Sequence, residues 1–244
     1  MRALPAMSWR AALALWAAAV VAALPFAYLA PSLPQWGGQS AGVAPVLGAL
    51  ALAVGVATLA GWAMGSRLGF GAPFVEAWLR GERPDVRPLA RAGAQGAVLA
   101  LAAVAVLLAM SNTEAPAGAE ASVLPWWSGI AFALYGGAAE ELMFRFGLMS
   151  GIAWVIAQLR PLVHSWKAAP DEAMAAWGGI VISAILFGLA HAGMGPGGLL
   201  VQASFRMAAG LLFGWLYWRQ GIEAAIAAHL GYDLVVFYAV VALV

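Results

Sequence analysis

The chain has 244 residues, of which 64% are hydrophobic and only 9% charged, for a formal net charge of +1. Soluble proteins carry roughly a quarter charged residues, so this composition excludes a soluble globular enzyme, a nucleic-acid-binding module and a disordered scaffold, and defines an integral membrane protein. Cysteine is absent, which removes disulfides, thiolate nucleophiles and cysteine-ligated metal centres.

A hydrocarbon core of about 30 Å needs about 20 apolar residues per helix. The apolar windows predict seven spans (six to eight), near residues 10–30, 41–64, 92–110, 127–157, 176–194, 199–218 and 221–243. No alternating strand pattern is present, so the expected fold is all-α, a polytopic transmembrane helical bundle forming a single integral membrane domain over 1–244. The first span also has ingredients of a secretory signal, but its apolar run is long and Tyr28 would occupy a position that prefers a small residue. Between the second and third spans, Phe70, Phe74, Trp78 and Leu79 accompany Glu76 and Arg80 at roughly helical spacing, which suggests a short interfacial helix; an ordinary loop is the alternative. Trp126, Trp127, Trp177 and Trp218 fall near span ends, where an interfacial belt would put them.

Basic residues in short loops mark the cytoplasmic side. Arg2 and Arg10 precede the first span, Arg67, Arg80, Arg83, Arg87 and Arg91 follow the second, Arg160 and Lys167 the fourth, and Arg219 the sixth. Alternating spans put all of these on one side, and the middle opposite loop carries Glu114 and Glu120. The expected location is the inner membrane of a bacterium, with the N-terminus cytoplasmic and the C-terminus outside.

Charges inside a span are costly unless paired or turned toward a cavity, so they mark candidate functional sites. The fourth span holds Glu140, Glu141 and Arg145; the fifth ends in Phe187-Gly-Leu-Ala-His191; the seventh holds His229 and Asp233. Glu141 and Arg145 are four apart and share a helical face, where they can neutralise each other. Glu140 lies about 100° around the helix and is left without that partner, as suits a general base. His229 and Asp233 are likewise four apart, so the carboxylate can orient the imidazole and hold its charge. His191 has no ionisable neighbour in its own span and must find one across the bundle. On these residues alone, catalysis, proton-coupled transport and structural pairing all remain open. Arg206, in the sixth span, would snorkel or pair with Asp233 or Glu223, His164 is a loop histidine, and Gly193, Gly195, Pro196, Gly197 and Gly198 form a flexible connection placed to act as a gate.

Glu-Glu-x-x-x-Arg, Phe-x-x-x-His and His-x-x-x-Asp, in this order and on separate spans, resemble the CPBP (CAAX protease and bacteriocin-processing, or ABI) family of intramembrane endopeptidases, which includes the type II CAAX prenyl endopeptidases. The resemblance covers residues 125–244, an expected catalytic core, with 1–124 supplying N-terminal spans and a cytoplasmic loop. It implies that Glu140 and His191 activate a water for attack on a peptide carbonyl, that His229 and its neighbour at 233 stabilise the oxyanion, and that Glu141 and Arg145 support the catalytic glutamate. Phe187 would pack under His191. The commonest family form has Asn where this chain has Asp233. An ionised Asp cannot donate a hydrogen bond, so Asp233 is assigned to orienting and charging His229.

The implied substrate is a membrane-associated peptide or protein, prenylated or not; the bilayer is the only other expected partner, nucleic acid is not one, and the oligomeric state is open. No cofactor is expected. Zinc held by His191, His229 and a carboxylate is the alternative, although no His-Glu-x-x-His occurs. A non-catalytic membrane factor, for bacteriocin self-immunity or scaffolding, and a proton-coupled transporter are the competing functions. Depth counting at 1.5 Å per residue raises a difficulty: Glu140 and His229 fall in the cytoplasmic half, at ~20 Å and ~12 Å from their span starts, but His191 falls near the outer end. A shared site then requires tilted helices, a late start to the fifth span, or a glycine-rich segment that dips into the bundle.

Overall fold

The computed structural model describes residues 7–32, 42–110, 125–159, 172–192 and 198–243. Seven helices among them are long and apolar enough to cross a membrane, and no strand occurs among the described residues. In chain order they are α1 (Trp9–Leu29), α2 (Val43–Leu68), α4 (Arg87–Ala109), α5 (Ser128–Leu159), α6 (Glu172–Ala190), α7 (Leu199–Gln220) and α8 (Ile222–Ala239), with the short α3 (Pro73–Leu79) between α2 and α4. The protein is therefore a polytopic helical membrane protein. Residues 193–197 of the expected gate lie outside the described residues, as do His164, Arg160, Lys167, Glu114 and Glu120, whereas Gly198 already belongs to the sixth long helix.

Local chemistry sets several boundaries. Ser8 caps α1, its hydroxyl accepting from the Ala11 N–H at 3.2 Å, and the helix is interrupted at Ala23, just before Pro25, which has no N–H to donate. Pro88 occupies the first turn of α4, where a missing N–H costs nothing. That helix starts at Arg87 rather than near 92, so Arg87 and Arg91 sit on its first turns instead of in a loop.

The short helix forms, but it faces inward more than an interfacial helix would. Phe70 and Glu76 are buried, while Trp78 stays exposed. Glu76 accepts the Ser8 N–H at 2.5 Å, Glu223 accepts the Val75 N–H at 2.8 Å, and the Gly71 carbonyl accepts the Ile222 N–H at 3.0 Å. The segment thus straps together the ends of α1 and α8. Glu223 is engaged there rather than with Arg206, whose Nη1 instead donates to Gln202 at 2.5 Å.

The site is positioned by close contact between α4 and α8. Lipid tails are as apolar as leucine, so helices in a bilayer associate through packing of small residues. Ala92, Gly96, Ala100 and Ala103 form a buried stripe on α4 facing Ala224, Ala225 and Ala228 on α8. The approach is so close that a Cβ on Gly96 would overlap the Ala228 backbone, and one on Gly231 would overlap the backbone of Gly93.

In α5, the turns over Gly136–Glu140 and Leu142–Met149 are π-helical. Such wide turns close i→i+5 bonds and are frequent at functional sites. With 32 residues, α5 would extend about 48 Å at the α-helical rise, well beyond the hydrocarbon core, and its wide turns shorten it unevenly. Residue number along it is therefore a poor measure of depth, and His191 lies 3.5 Å from Glu140 although simple counting separated them. The fifth span also begins at Glu172 rather than near 176, so no late start is involved.

Gly96→Ala should loosen the α4–α8 contact next to His229. A loss of about 1–3 kcal/mol is expected from such overpacking, measured as a lower unfolding temperature in detergent, with Gly48→Ala, at an open position, as the control that changes little.

Candidate active site

The lowest layer of the site is a buried ion pair. Arg145 Nη1 donates to Glu141 Oε1 at 2.8 Å, and both side chains are fully buried. The guanidinium also lies over the rings of Phe187 (4.1 Å) and Phe213 (5.3 Å), which supply cation–π contacts. The same carboxylate oxygen accepts the His229 Nδ1–H at 2.8 Å. One Glu141 oxygen therefore ties an arginine from its own helix to a histidine from α8.

His229 is held on every side. Its ring stacks on Phe213 with centroids 4.7 Å apart and planes at 22°, and the edge of Phe187 approaches at 5.7 Å. With Nδ1 donating to Glu141, Nε2 faces Glu140 Oε2 at 4.0 Å and Asp233 Oδ2 at 3.4 Å. His191 is fixed by its Nδ1–H, which donates to the Phe187 carbonyl at 2.8 Å, and this leaves Nε2 3.5 Å from Glu140 Oε1. Glu140, from α5, thus sits between two imidazole nitrogens from α6 and α8.

Access separates two groups of residues. The side chains of Glu140, His191 and Asp233 are 12%, 16% and 17% exposed, whereas Glu141 and Arg145 are at 0%. His229, at 4%, lies between the two groups, with its Nε2 turned toward Glu140 and Asp233.

The fold brings together all seven residues singled out from the sequence: Glu140, His191, His229 and Asp233, with Glu141, Arg145 and Phe187. Their relationships differ from expectation in two respects. Glu141, expected to pair only with Arg145, also holds Nδ1 of His229, and Asp233 approaches the other nitrogen, Nε2, at 3.4 Å. Glu140 and Glu141 meet different nitrogens of His229, Nε2 at 4.0 Å and Nδ1 at 2.8 Å. Phe187, expected beneath His191, also touches Arg145, His229 and Phe144.

Two residues of the site carried no sequence signal of their own. Phe213 is one apolar residue among many in α7. Gly136 precedes Glu140 by one turn, and a Cβ there would come within 2.5 Å of Asp233 Oδ2 and 3.1 Å of His229 Nε2. Its bare backbone is what lets α8 present both groups to α5. The pair Gly136-Gly137 is visible in the sequence, but its meaning depends on which helix lies opposite.

Among the described residues, no group of three or more His, Asp and Glu side chains is arranged to hold a metal ion.

The fold and this cluster define a polytopic membrane protein with a carboxylate–histidine centre enclosed between helices. Residues 122–235, which contain the whole cluster, match the family model for type II CAAX prenyl endopeptidase Rce1-like proteins. No curated protein and no solved structure matches the chain. This C-terminal region is thus similar to the CAAX protease-like (CPBP) family.

Glu141→Gln keeps an acceptor for His229 but leaves Arg145 buried without a counter-charge. It should destabilise the protein by about 3 kcal/mol or more, read as a lower unfolding temperature in detergent, whereas Glu140→Gln should unfold close to wild type.

Proposed function

We propose that this protein is an intramembrane endopeptidase in which Glu140 and His191 activate a water to hydrolyse a peptide bond of a membrane-associated protein or peptide. The observation that carries this reading is the 3.5 Å pairing of Glu140 Oε1 with His191 Nε2. Because Nδ1 of His191 donates to the Phe187 carbonyl, the neutral ring offers Nε2 as an acceptor. A water at hydrogen-bonding distance from both groups donates one proton toward the carboxylate and one toward the imidazole. Its lone pair is then directed at the carbonyl carbon.

Attack moves the water proton to Glu140 and places negative charge on the former carbonyl oxygen. His229 is the donor for that oxyanion. Its Nδ1–H is committed to Glu141, so Nε2 carries a proton only in the imidazolium form, whose charge is countered by Glu141, Glu140 and Asp233. A preformed charged donor at that position lowers the barrier by stabilising charge that appears only in the transition state. Asp233, unable to donate when ionised, serves as counter-charge to His229. Collapse of the tetrahedral intermediate passes the proton from Glu140 to the departing amine and completes the hydrolysis.

In this reading, residues 125–244 form the catalytic core and residues 1–124 the scaffold that fixes α8 and straps its start. The distribution of basic residues supports a cytoplasmic N-terminus in a bacterial inner membrane. No cofactor is required, since carboxylate and histidines supply base, water binding and oxyanion donor.

Glu140→Gln preserves shape but cannot take the proton, so it should abolish cleavage at normal expression. The measurement compares membrane proteomes of cells carrying wild-type and Glu140→Gln protein: a product present only with wild type is expected, and identical proteomes would return the protein to a non-catalytic role.

Treatment with a strong chelator should leave the purified enzyme active, with elemental analysis finding no stoichiometric zinc. Activity lost to chelation and restored by zinc would instead assign His191, His229 and a carboxylate as ligands.

A further inference from the structure

The first two helices enclose a groove that the proposed reaction does not use. Its mouth lies where α1 begins and α2 ends, because the Trp62 indole N–H donates to the Met7 carbonyl at 3.0 Å. Seven residues beyond Trp9 along α1, about 10 Å of helix, the Trp16 indole N–H donates to the Ala51 carbonyl at 2.9 Å. These two bonds pin the helices together at both ends of a cavity of about 370 Å³. Small residues make its floor: Ala12 is buried, and a Cβ on Gly55 would come within 3.2 Å of Trp16 Nε1. Trp9, Leu13 and Leu59, all exposed, form its rim.

The lining offers carbon almost exclusively. Trp16 and Trp62 direct their N–H groups to backbone carbonyls, and the buried Thr58 hydroxyl donates to the Val54 carbonyl at 2.7 Å. Water needs polar partners to occupy such a space, and an unfilled one forfeits dispersion contacts along its walls. Hydrocarbon fills it. At about 10 Å the groove is shorter than the ~15 Å half of a bilayer core, so a chain hung from a headgroup at the mouth can lie along it. A partner's helix, about 10 Å across, would rest on the tryptophan and leucine rim without reaching the floor. Helix pairing in lipid favours small residues at the contact instead.

The mouth also carries a charge. Arg10 is exposed, its guanidinium lies 5.8 Å from the ring centroid of Trp9, and among the described residues no carboxylate pairs with it. Nor does this cation serve α1, since in the first turn it opposes the helix dipole. Arg67, also exposed, follows Trp62 by five residues at the same end of the bundle. An apolar groove that takes a chain, with an unpaired cation at its headgroup end, suits an amphiphile with an anionic head. We propose that the groove between α1 and α2 binds an anionic phospholipid, with an acyl chain against Trp9, Trp16 and Trp62 and the headgroup phosphate at Arg10. The site is separate from the cluster around Glu140 and does not depend on the protease reading.

The test uses the full-length protein reconstituted in vesicles of equal phosphatidylglycerol and phosphatidylcholine. After gentle release into detergent, native mass spectrometry identifies the last lipid to leave the protein. Phosphatidylglycerol should be retained about fivefold over phosphatidylcholine, the effect of one basic residue at a headgroup. Arg10→Gln should erase that preference while leaving phosphatidylcholine retention unchanged, and Arg10→Lys should keep part of it. Leu13→Ala combined with Leu59→Ala lowers the rim at two exposed positions and should reduce retention of both lipids alike. Equal retention of the two lipids by wild type, a preference that survives Arg10→Gln, or retention indifferent to the rim substitutions would overturn the proposal. So would a rim-dependent dimer in place of bound lipid, which would assign the groove to a second copy of the chain. Lipid retained only after deletion of residues 2–6 would likewise overturn it, by assigning the groove to the chain's own N-terminal segment.

Discussion

One carboxylate oxygen, Oε1 of Glu141, organises the polar cluster in the C-terminal half of this protein. It accepts from Arg145 and from His229, each at 2.8 Å, in a place with no solvent access. Removing one partner from such an arrangement leaves a buried charge uncompensated, at a cost of several kcal/mol, so the three residues persist together or not at all. The consequence reaches beyond stability. With Nδ1 of His229 occupied, Nε2 is the nitrogen turned toward Glu140 and Asp233, and the reactive geometry follows from a bond made one layer below it.

The bilayer dictates how that bond can be built. Apolar surface gives helices no reason to associate in lipid, and contact depends on small residues that let backbones approach. The alanine and glycine stripe of α4 against α8 fixes the height and rotation of His229. Gly136 and Gly137 do the same where α5 meets α8, with Leu230 lying against Gly137. Aromatic rings then fill the space between polar groups. Phe187 and Phe213 flank Arg145 and His229 and exclude other partners, which strengthens each electrostatic contact in the cluster.

Much of this was legible in the sequence, for identifiable reasons. Span number follows from apolar length, and the Glu141–Arg145 pair from an i,i+4 spacing that the observed helix still satisfies. The three motifs nominated residues that do converge. What could not be read were relations between helices. The contact of Glu141 with His229 joins residues 88 apart in the chain, and no local pattern encodes it. Asp233 does approach His229 at 3.4 Å, but the nearer carboxylate, Glu141, was missed because a partner within one helix is visible to spacing rules and a partner across the bundle is not. The π-helical turns of α5 were announced by no residue spacing. The role of Phe213 was invisible, because an aromatic in a membrane span is by default a packing residue.

The claim on which the rest depends is that Glu141 holds His229 by its Nδ1–H, leaving Nε2 for the reaction. With three histidines in the chain, nitrogen-15 labelling of the imidazoles and solid-state NMR of the full-length protein in lipid can report the state of each ring nitrogen. The account predicts a protonated Nδ1 at His229, with a shift that moves in Glu141→Gln and not in Asp233→Asn. A bare Nδ1 at His229, or one that responds to Asp233→Asn and ignores Glu141→Gln, would contradict it.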